Sequence, residues 1–218
     1  MADEQTMASV SRTTSMPGIG NEAVATVGSA GAVLAIVGLA GVLPHLLAQI
    51  GVIVVGASFV AVQGSAAARY GAALPREERS QLHALPIGGA VTSEFVGGMT
   101  AALLGLLSLL GVAPLMLLAI AVILLGAVEI ATSRSTGRVT HMLIEAADVS
   151  PRVKVLALES AGASLGAVLF IGIGAVALGI LAIVLSTSTL PLVLAATLAL
   201  GLGILIETAT RSEHAMAG

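Results

Sequence analysis

Five glutamates combine an ionisable side chain with a recurring position, because each lies near one end of a long apolar stretch. They are Glu22, Glu94, Glu129, Glu159 and Glu207. Their spacing also recurs, since Pro86 precedes Glu94 by eight residues and Pro151 precedes Glu159 by eight. Carboxylates gathered into a ring at one face of a membrane can attract cations or relay protons. Glu94, Glu129 and Glu159 are therefore candidate proton- or cation-binding carboxylates.

Three of the five glutamates also have an ordinary structural explanation. Glu22 and Glu94 fall near the start of a predicted helix, where the positive end of the helix dipole stabilises a carboxylate by about 0.3 to 1 kcal/mol. Glu207 has Arg211 four residues further on, which is the spacing of a surface ion pair. For these three residues the sequence favours a structural role.

Glu129 and Glu159 are harder to explain by helix stability alone. Glu129 lies near the C-terminal end of its predicted helix, where the dipole disfavours a carboxylate, and no basic residue follows it four positions later. Glu159 lies about two turns inside a helix if Pro151 begins that helix. For both residues a functional and a structural role remain open alternatives.

The histidines offer two further candidates. His141 and Glu145 are four residues apart and could share a metal, but two ligands on a surface helix make a weak site, and a solvated helix face explains them better. His45 lies beside Pro44 in a predicted outer turn. A histidine changes its charge between about pH 5 and 8, so His45 is a candidate sensor of external acid, with a merely solvated turn residue as the alternative.

No motif of a known enzyme chemistry accompanies these residues. The sequence shows no Ser/His/Asp arrangement, phosphate-binding loop, HExxH motif or basic nucleic-acid patch. Cysteine is absent, which excludes disulfides and thiolate metal sites. We therefore predict a protein that is not an enzyme, with no cofactor, no metal site and no nucleic-acid partner.

The composition indicates the surroundings in which these residues act. The chain is 57% hydrophobic and only 10% charged, with a mean hydropathy of +1.07, whereas soluble domains have about 25% charged residues. In lipid every backbone amide must find a partner within the protein, so spans are helices or closed barrels. Because the apolar runs lack alternation with a period of two, they predict helices. The sequence thus predicts an all-α integral membrane protein in a lipid bilayer.

A proline and glycine frame divides the apolar sequence into three hairpins. Pro44, Pro114 and Pro191 each lie between two apolar runs, and each is followed twelve residues later by a glycine. We predict six transmembrane helices as three repeated helical hairpins around a pseudo-threefold axis. The predicted ranges are a disordered cytoplasmic tail at 1–20, a membrane domain at 21–210 with hairpins at 22–63, 92–133 and 151–210, and a C-terminal tail at 211–218.

Two polar stretches connect the hairpins. In the first, 64–91, Pro75 can open a short surface helix. In the second, 134–154, apolar residues at helical spacing predict a short amphipathic helix lying flat at the lipid headgroups. The fifth helix is expected to run from Pro151 as far as Leu185.

The basic residues set the predicted orientation. All nine lysines and arginines lie in the tails or the two long connections, and none lies in a proline turn. By the positive-inside rule, both termini and both long connections are cytoplasmic. Only 2% of residues are aromatic, so the usual interfacial belt is missing, which favours packing against other subunits. We expect a homo-oligomer or a larger membrane complex.

These features together resemble one family of bacterial membrane proteins. Gly-rich hairpins with proline at the outer turn, glycine twelve residues on and the run Gly-Ala-Val-Glu-Ile at 126–130 are similar to the HdeD family of short acid-resistance membrane proteins. The resemblance covers about 23–210. It implies a bacterial inner-membrane protein linked to acid or stress tolerance, and it supplies no catalytic residues.

Two functions are consistent with the sequence. The first is a non-enzymatic, multi-spanning membrane protein with a structural or acid-tolerance role. The alternative is a small proton- or cation-conducting transporter or channel that uses Glu94, Glu129 and Glu159.

Overall fold

The structure is a computed structural model that describes the backbone of residues 19–73, 86–146, 151–185 and 187–216. All regular elements within these ranges are α-helices. The described residues form six helices, α1 (Ile19–Leu39), α2 (Pro44–Ala73), α3 (Pro86–Leu109), α4 (Pro114–Ala146), α5 (Pro151–Val184) and α6 (Thr189–Met216). The predicted all-α class is confirmed. Most of the predicted tail, residues 1–18, and the predicted surface helix at Pro75 lie outside the described residues.

Within the part of the chain that the structure describes, four helices contain a segment that is long and apolar enough to cross a membrane. These segments are Pro44–Ala61, Pro114–Ser133, Leu165–Val184 and Thr189–Ile206. Each has at least 18 residues, close to what a hydrocarbon core about 30 Å thick requires. Two shorter apolar stretches, Thr26–Leu39 and Glu94–Leu109, belong to α1 and α3. The protein is therefore membrane-embedded.

Several helices extend into residues that the sequence predicted as polar connections or as the C-terminal tail. Helix α2 continues to Ala73 and α4 to Ala146, while α6 continues to Met216. The predicted flat helix at 134–154 is therefore corrected, because residues 134–146 continue α4 without a break. Polarity does not end a helix by itself, and the alanine-rich residues 64–73 have high helix propensity. The predicted fifth helix is confirmed over 151–184.

The helices form a closed ring with an inner and an outer set. Each helix packs against the next along the chain, and α1 packs against α6, which closes the ring. Helices α2, α4 and α6 also contact one another across the middle. Helices α1, α3 and α5 therefore lie outside a central group formed by the other three.

Burial separates the two sets of helices. Among the described residues, the large apolar side chains with less than 2% exposure all belong to the inner helices: Val52 and Val55 in α2, Leu118, Val122 and Leu125 in α4, and Val193, Leu194 and Leu200 in α6. Large exposed apolar side chains concentrate on the outer helices, with Val33 and Ile36 in α1, Leu103 and Leu106 in α3, and Phe170 and Val184 in α5. An apolar outer face of this kind suits contact with lipid tails.

The turn between α1 and α2 ends the first helix with a Schellman motif. The amide of Gly41 donates to the carbonyl of Gly38, and the amide of Val42 donates to that of Val37. Gly41 has a φ of 90°, a backbone region that glycine adopts without strain. The α3–α4 turn has the corresponding two bonds, from the amide of Gly111 to the carbonyl of Ser108 and from the amide of Val112 to that of Leu107. Gly111 has a φ of 85°.

The third turn, between α5 and α6, differs from the first two. Helix α6 begins at Thr189, two residues before Pro191, so Thr189 takes the place that Pro44 and Pro114 have in α2 and α4. The hydroxyl of Thr189 donates to the carbonyl of Ala182 at 2.9 Å and ties the start of α6 to α5. Counted from the start of its helix, Gly201 rather than the predicted Gly203 therefore corresponds to Gly56 and Gly126.

At these three corresponding glycines the backbones of neighbouring helices approach closely. A Cβ built on each would lie under 3 Å from a backbone atom of the adjacent outer helix. The distances are 2.7 Å from Gly56 to the carbonyl oxygen of Gly98, 2.7 Å from Gly126 to that of Gly172, and 2.9 Å from Gly201 to the amide nitrogen of Ala32. Close packing through small residues is how helices associate in lipid, where burial alone gives no driving force.

Candidate functional site

Glu129 is a carboxylate within the protein core. It lies on α4 inside the apolar segment Pro114–Ser133 and is 2% exposed. Leu118, Val122 and Leu125 precede it at helical spacing and are buried, so Glu129 continues the core-facing stripe of α4. The helix thus places an ionisable group where its periodicity calls for an apolar one.

The other two inner helices carry apolar residues at the corresponding position. Phe59 and Ile204 lie three residues after Gly56 and Gly201, as Glu129 lies three residues after Gly126. Phe59 is 7% exposed and Ile204 is 4% exposed, so all three positions are in the core. At this level the inner group therefore has one carboxyl group rather than a ring of them.

The carboxyl group of Glu129 extends towards α6 and lies over Gly203. A Cβ built on Gly203 would be 2.5 Å from Oε1 of Glu129 and 3.4 Å from Cγ2 of Ile171 in α5. Gly203 thus provides the space that the carboxyl group occupies. The sequence indicated Gly203 only as a hairpin marker, because its contact with Glu129 depends on how α6 packs against α4.

Two hydroxyl groups lie on α4 directly after Glu129. Thr132 donates to the carbonyls of Val128 at 3.0 Å and Glu129 at 3.1 Å, and Ser133 donates to the carbonyl of Glu129 at 2.5 Å. Both side chains are buried. Such bonds to the preceding turn are how serine and threonine satisfy their hydroxyl groups inside apolar helices.

Glu94 lies on the helix that packs beside this end of α4. It is half-buried, four residues before Gly98 on α3. One residue before Gly98, Gly97 contacts the side chain of Val128, next to Glu129 in α4. The structure therefore brings Glu94 to the same end of the helix pair as Glu129.

Glu159 lies at a different level. Gly98 of α3 and Gly172 of α5 are the outer-helix glycines that pack against Gly56 and Gly126. Glu159 lies in α5, thirteen residues before Gly172, whereas Glu94 lies four residues before Gly98. At a rise of 1.5 Å per residue these separations are about 20 Å and about 6 Å. The three predicted carboxylates therefore do not share one level of the described backbone. The side chains of Glu22, Glu159 and Glu207 lie outside the described residues.

The histidine candidates are not part of this site. His45 is exposed in the first turn of α2, at the opposite end of the inner helices from Glu129. The side chains of His141 and Glu145, the weak candidate pair for a metal, lie outside the described residues. Among the side chains that are described, no group of three or more histidine, aspartate or glutamate residues could hold a metal ion.

A second buried polar site, near the turns, was not predicted from the sequence. Nε2 of Gln49 donates to the backbone carbonyl of Ser108 at 3.0 Å and to its hydroxyl at 3.2 Å, and that hydroxyl donates to the carbonyl of Pro114 at 3.1 Å. Ser108 is fully buried. This network ties α2, α3 and α4 together, and a single glutamine in an apolar run was the signal that could have indicated it.

In comparisons with known proteins, no family model matched this chain, and no curated protein or solved structure matched it either. The functional assignment therefore depends on the geometry of the chain itself. Among the described side chains, Glu129 is the carboxyl group that lies buried in the apolar core.

Proposed function

We propose that the chain is a non-enzymatic, multi-spanning protein of the bacterial inner membrane, with six crossings arranged as three repeated hairpins. The observation that carries the proposal is the packing of α1 against α6, which closes the six helices into a ring with an apolar outside. The matched hydrogen bonds of the first two turns and the corresponding glycines of the three inner helices support a repeat.

The proposed orientation places both termini and both long connections in the cytoplasm. Because the chain has no cysteine, single cysteines can be introduced without removing others. A membrane-impermeant thiol reagent added to intact cells is expected to label Val112→Cys in the second turn but not Arg76→Cys or Arg138→Cys. Labelling of either arginine position from outside would overturn the six-crossing arrangement.

The proposed role is structural or linked to acid and stress tolerance. The HdeD-like hairpin frame supports it, as does a core whose large buried side chains come from all three inner helices. Cells that produce the chain should survive an acid challenge better than matched cells that lack it. Equal survival would rule out the acid-tolerance role.

We further propose that the protein works as a homo-oligomer or within a larger membrane complex. The low aromatic content supports this assembly, because isolated membrane proteins usually have an interfacial aromatic belt. Mass measurement of the protein released from membranes in mild detergent tests it. A single mass equal to one chain, with no associated protein, would contradict it.

A second candidate function is the conduction of protons or cations, and the burial of Glu129 in an apolar segment favours it. Ionisable residues inside membrane segments commonly mark ion pathways and proton relays. Purified protein in liposomes should carry a proton or cation flux that Glu129→Gln abolishes and Gly174→Ala leaves unchanged, because Gly174 has open space beside it. The same assay on Glu94→Gln and Glu159→Gln tests the other two candidates. A flux no greater than that of empty liposomes rejects conduction.

A further inference from the structure

We propose that Glu129 and Gly203 form one proton-binding site between α4 and α6, in which Glu129 binds the proton and Gly203 is a positioning residue. The proposal deepens the second candidate function by naming the ligand and the residue that shapes the site. It rests on the membrane-spanning arrangement proposed above. It does not require that the proton crosses the membrane.

The position of Glu129 in the core has a large electrostatic cost for an ionised side chain. An ionised carboxylate removed from water is strongly disfavoured unless a positive charge accompanies it. Glu129 is 2% exposed, and the corresponding positions on α2 and α6 are the apolar Phe59 and Ile204. A cation that binds the carboxylate would therefore greatly reduce the cost of keeping Glu129 in the core.

The titratable groups around the site are few in the described part of the chain. Helix α3 contributes the half-buried Glu94, and α2 contributes His45 at the opposite end of the bundle. The described side chains of α5 at 165–185 and of α6 at 189–206 include no titratable group. Besides Glu129, Glu94 is thus the one described titratable side chain near this level.

The surroundings of the carboxyl group suit a proton better than a metal cation. Hard metal cations bind six or more oxygen ligands. Oε1 of Glu129 instead lies over the glycine Gly203, a methyl group of Ile171 is 3.4 Å from a Cβ built on that glycine, and the hydroxyls of Thr132 and Ser133 donate to backbone carbonyls. A proton needs no shell of oxygen ligands, so it fits the space that these neighbours leave.

Gly203 is the residue that fixes where the carboxyl group lies. A Cβ there would be 2.5 Å from Oε1, so alanine would displace the carboxyl group. A Cβ built on Gly201, two residues earlier, would instead meet the backbone of α1. A Cβ built on Gly174 of α5 would have no atom within 4 Å. These two glycines provide matched controls, one for disturbed helix packing and one for the substitution alone.

The test is an infrared pH titration of the purified full chain in lipid bilayers. A protonated carboxyl group has a carbonyl stretching band that neither a carboxylate nor an amide shares. The wild-type spectrum should contain a pH-dependent component of this band that Glu129→Gln removes. Gly203→Ala should shift the pH midpoint of that component by about one unit, a tenfold change in proton affinity. Gly174→Ala and Gly201→Ala should keep the wild-type midpoint.

Three results would overturn the proposal. If wild type and Glu129→Gln have the same band at every pH, Glu129 binds no proton. If the midpoint moves with sodium concentration at constant ionic strength, a metal cation binds at the same carboxyl group, and the assignment of the site to a proton rather than a metal cation is wrong. If Gly203→Ala folds and leaves the midpoint unchanged, Gly203 is not a positioning residue.

A second variant serves if Gly203→Ala does not fold. Glu129→Asp shortens the side chain by one methylene group and withdraws the carboxyl group from Gly203, so it should keep the band and shift its midpoint. The infrared band and the liposome flux test proton binding and conduction separately. A protein that has the band and carries no flux binds the proton without transporting it. Flux without the band would support conduction and reject this site.

Discussion

The two buried polar sites, one near the turns and one near the opposite end of α4, differ in how their polar atoms are accommodated. Near the turns, Gln49, Ser108 and Pro114 form neutral hydrogen bonds of 3.0 to 3.2 Å between three helices. At the other end, the carboxyl group of Glu129 lies against a glycine of α6. The comparison suggests that the neutral network stabilises the bundle, whereas the ionisable group serves the binding of a ligand.

The largest effect on stability is expected at a glycine beside the carboxyl site but not part of it. Gly201→Ala would place a methyl group 2.9 Å from the amide nitrogen of Ala32, so the backbones of α6 and α1 must separate. Overpacking of this kind costs about 1 to 3 kcal/mol. Unfolding in detergent measures the loss. A variant as stable as wild type would show that α1 and α6 do not pack closely.

The second largest effect on stability is expected at Ser108, in the neutral network near the turns. Ser108→Ala leaves Nε2 of Gln49 with one of its two acceptors and removes the donor to the carbonyl of Pro114. We expect a loss of about 1 to 1.5 kcal/mol in the free energy of unfolding. The same unfolding assay measures it, and the infrared band of Glu129 should stay unchanged. A change in that band would mean that the two sites are coupled.

At Glu129 a substitution is expected to raise stability and remove function. Glu129→Leu gives α4 an apolar residue at the position where α2 has Phe59 and α6 has Ile204. Replacing buried charged groups by apolar ones of similar volume is often neutral or stabilising, and we expect a gain of about 1 kcal/mol. Unfolding measurements across pH check it. A large loss of stability would show that the carboxyl group is structural, as the polar network near the turns is.

The smallest effect on stability is expected at Gly203. Its added Cβ would meet the end of the Glu129 side chain rather than a backbone atom, so Gly203→Ala should cost about 1 kcal/mol, the lower end of the range for overpacking, while changing proton affinity. A double-mutant cycle with Glu129→Ala, which removes the clash, measures the coupling between the two residues. Additive effects would show that they do not interact.

Much of the architecture was predictable because prolines and glycines mark where helices begin and end, and apolar runs indicate helices in lipid. The first two turns follow this logic, since each helix after the turn begins at a proline and each turn contains a glycine with positive φ. The third turn does not, because Pro191 is the third residue of its helix and not the first. A proline is tolerated throughout a first helical turn, whose amides have no partner within the helix, so its position alone could not set the register.

The candidate site was predictable only in part. The helical stripe from Leu118 through Val122 and Leu125 to Glu129 is visible in the sequence and indicates that Glu129 faces the core. The role of Gly203 depends on how α6 packs against α4, which no local pattern encodes. Equal distances from a proline also do not give equal depth, because along the described backbone Glu94 and Glu159 lie at different distances from the glycines Gly98 and Gly172.

The closed ring is tested most directly by a disulfide between its first and last helices. A Cβ on Gly28 would lie 3.1 Å from Cβ of Ile204, close to the 3.5 to 4.5 Å that a disulfide spans, and the chain has no other cysteine. Oxidation of Gly28→Cys/Ile204→Cys in membranes should give a cross-link within one chain, and Gly174→Cys/Ile204→Cys should give none. If the first pair stays reduced or links two chains, α1 does not pack on α6 and the account is contradicted.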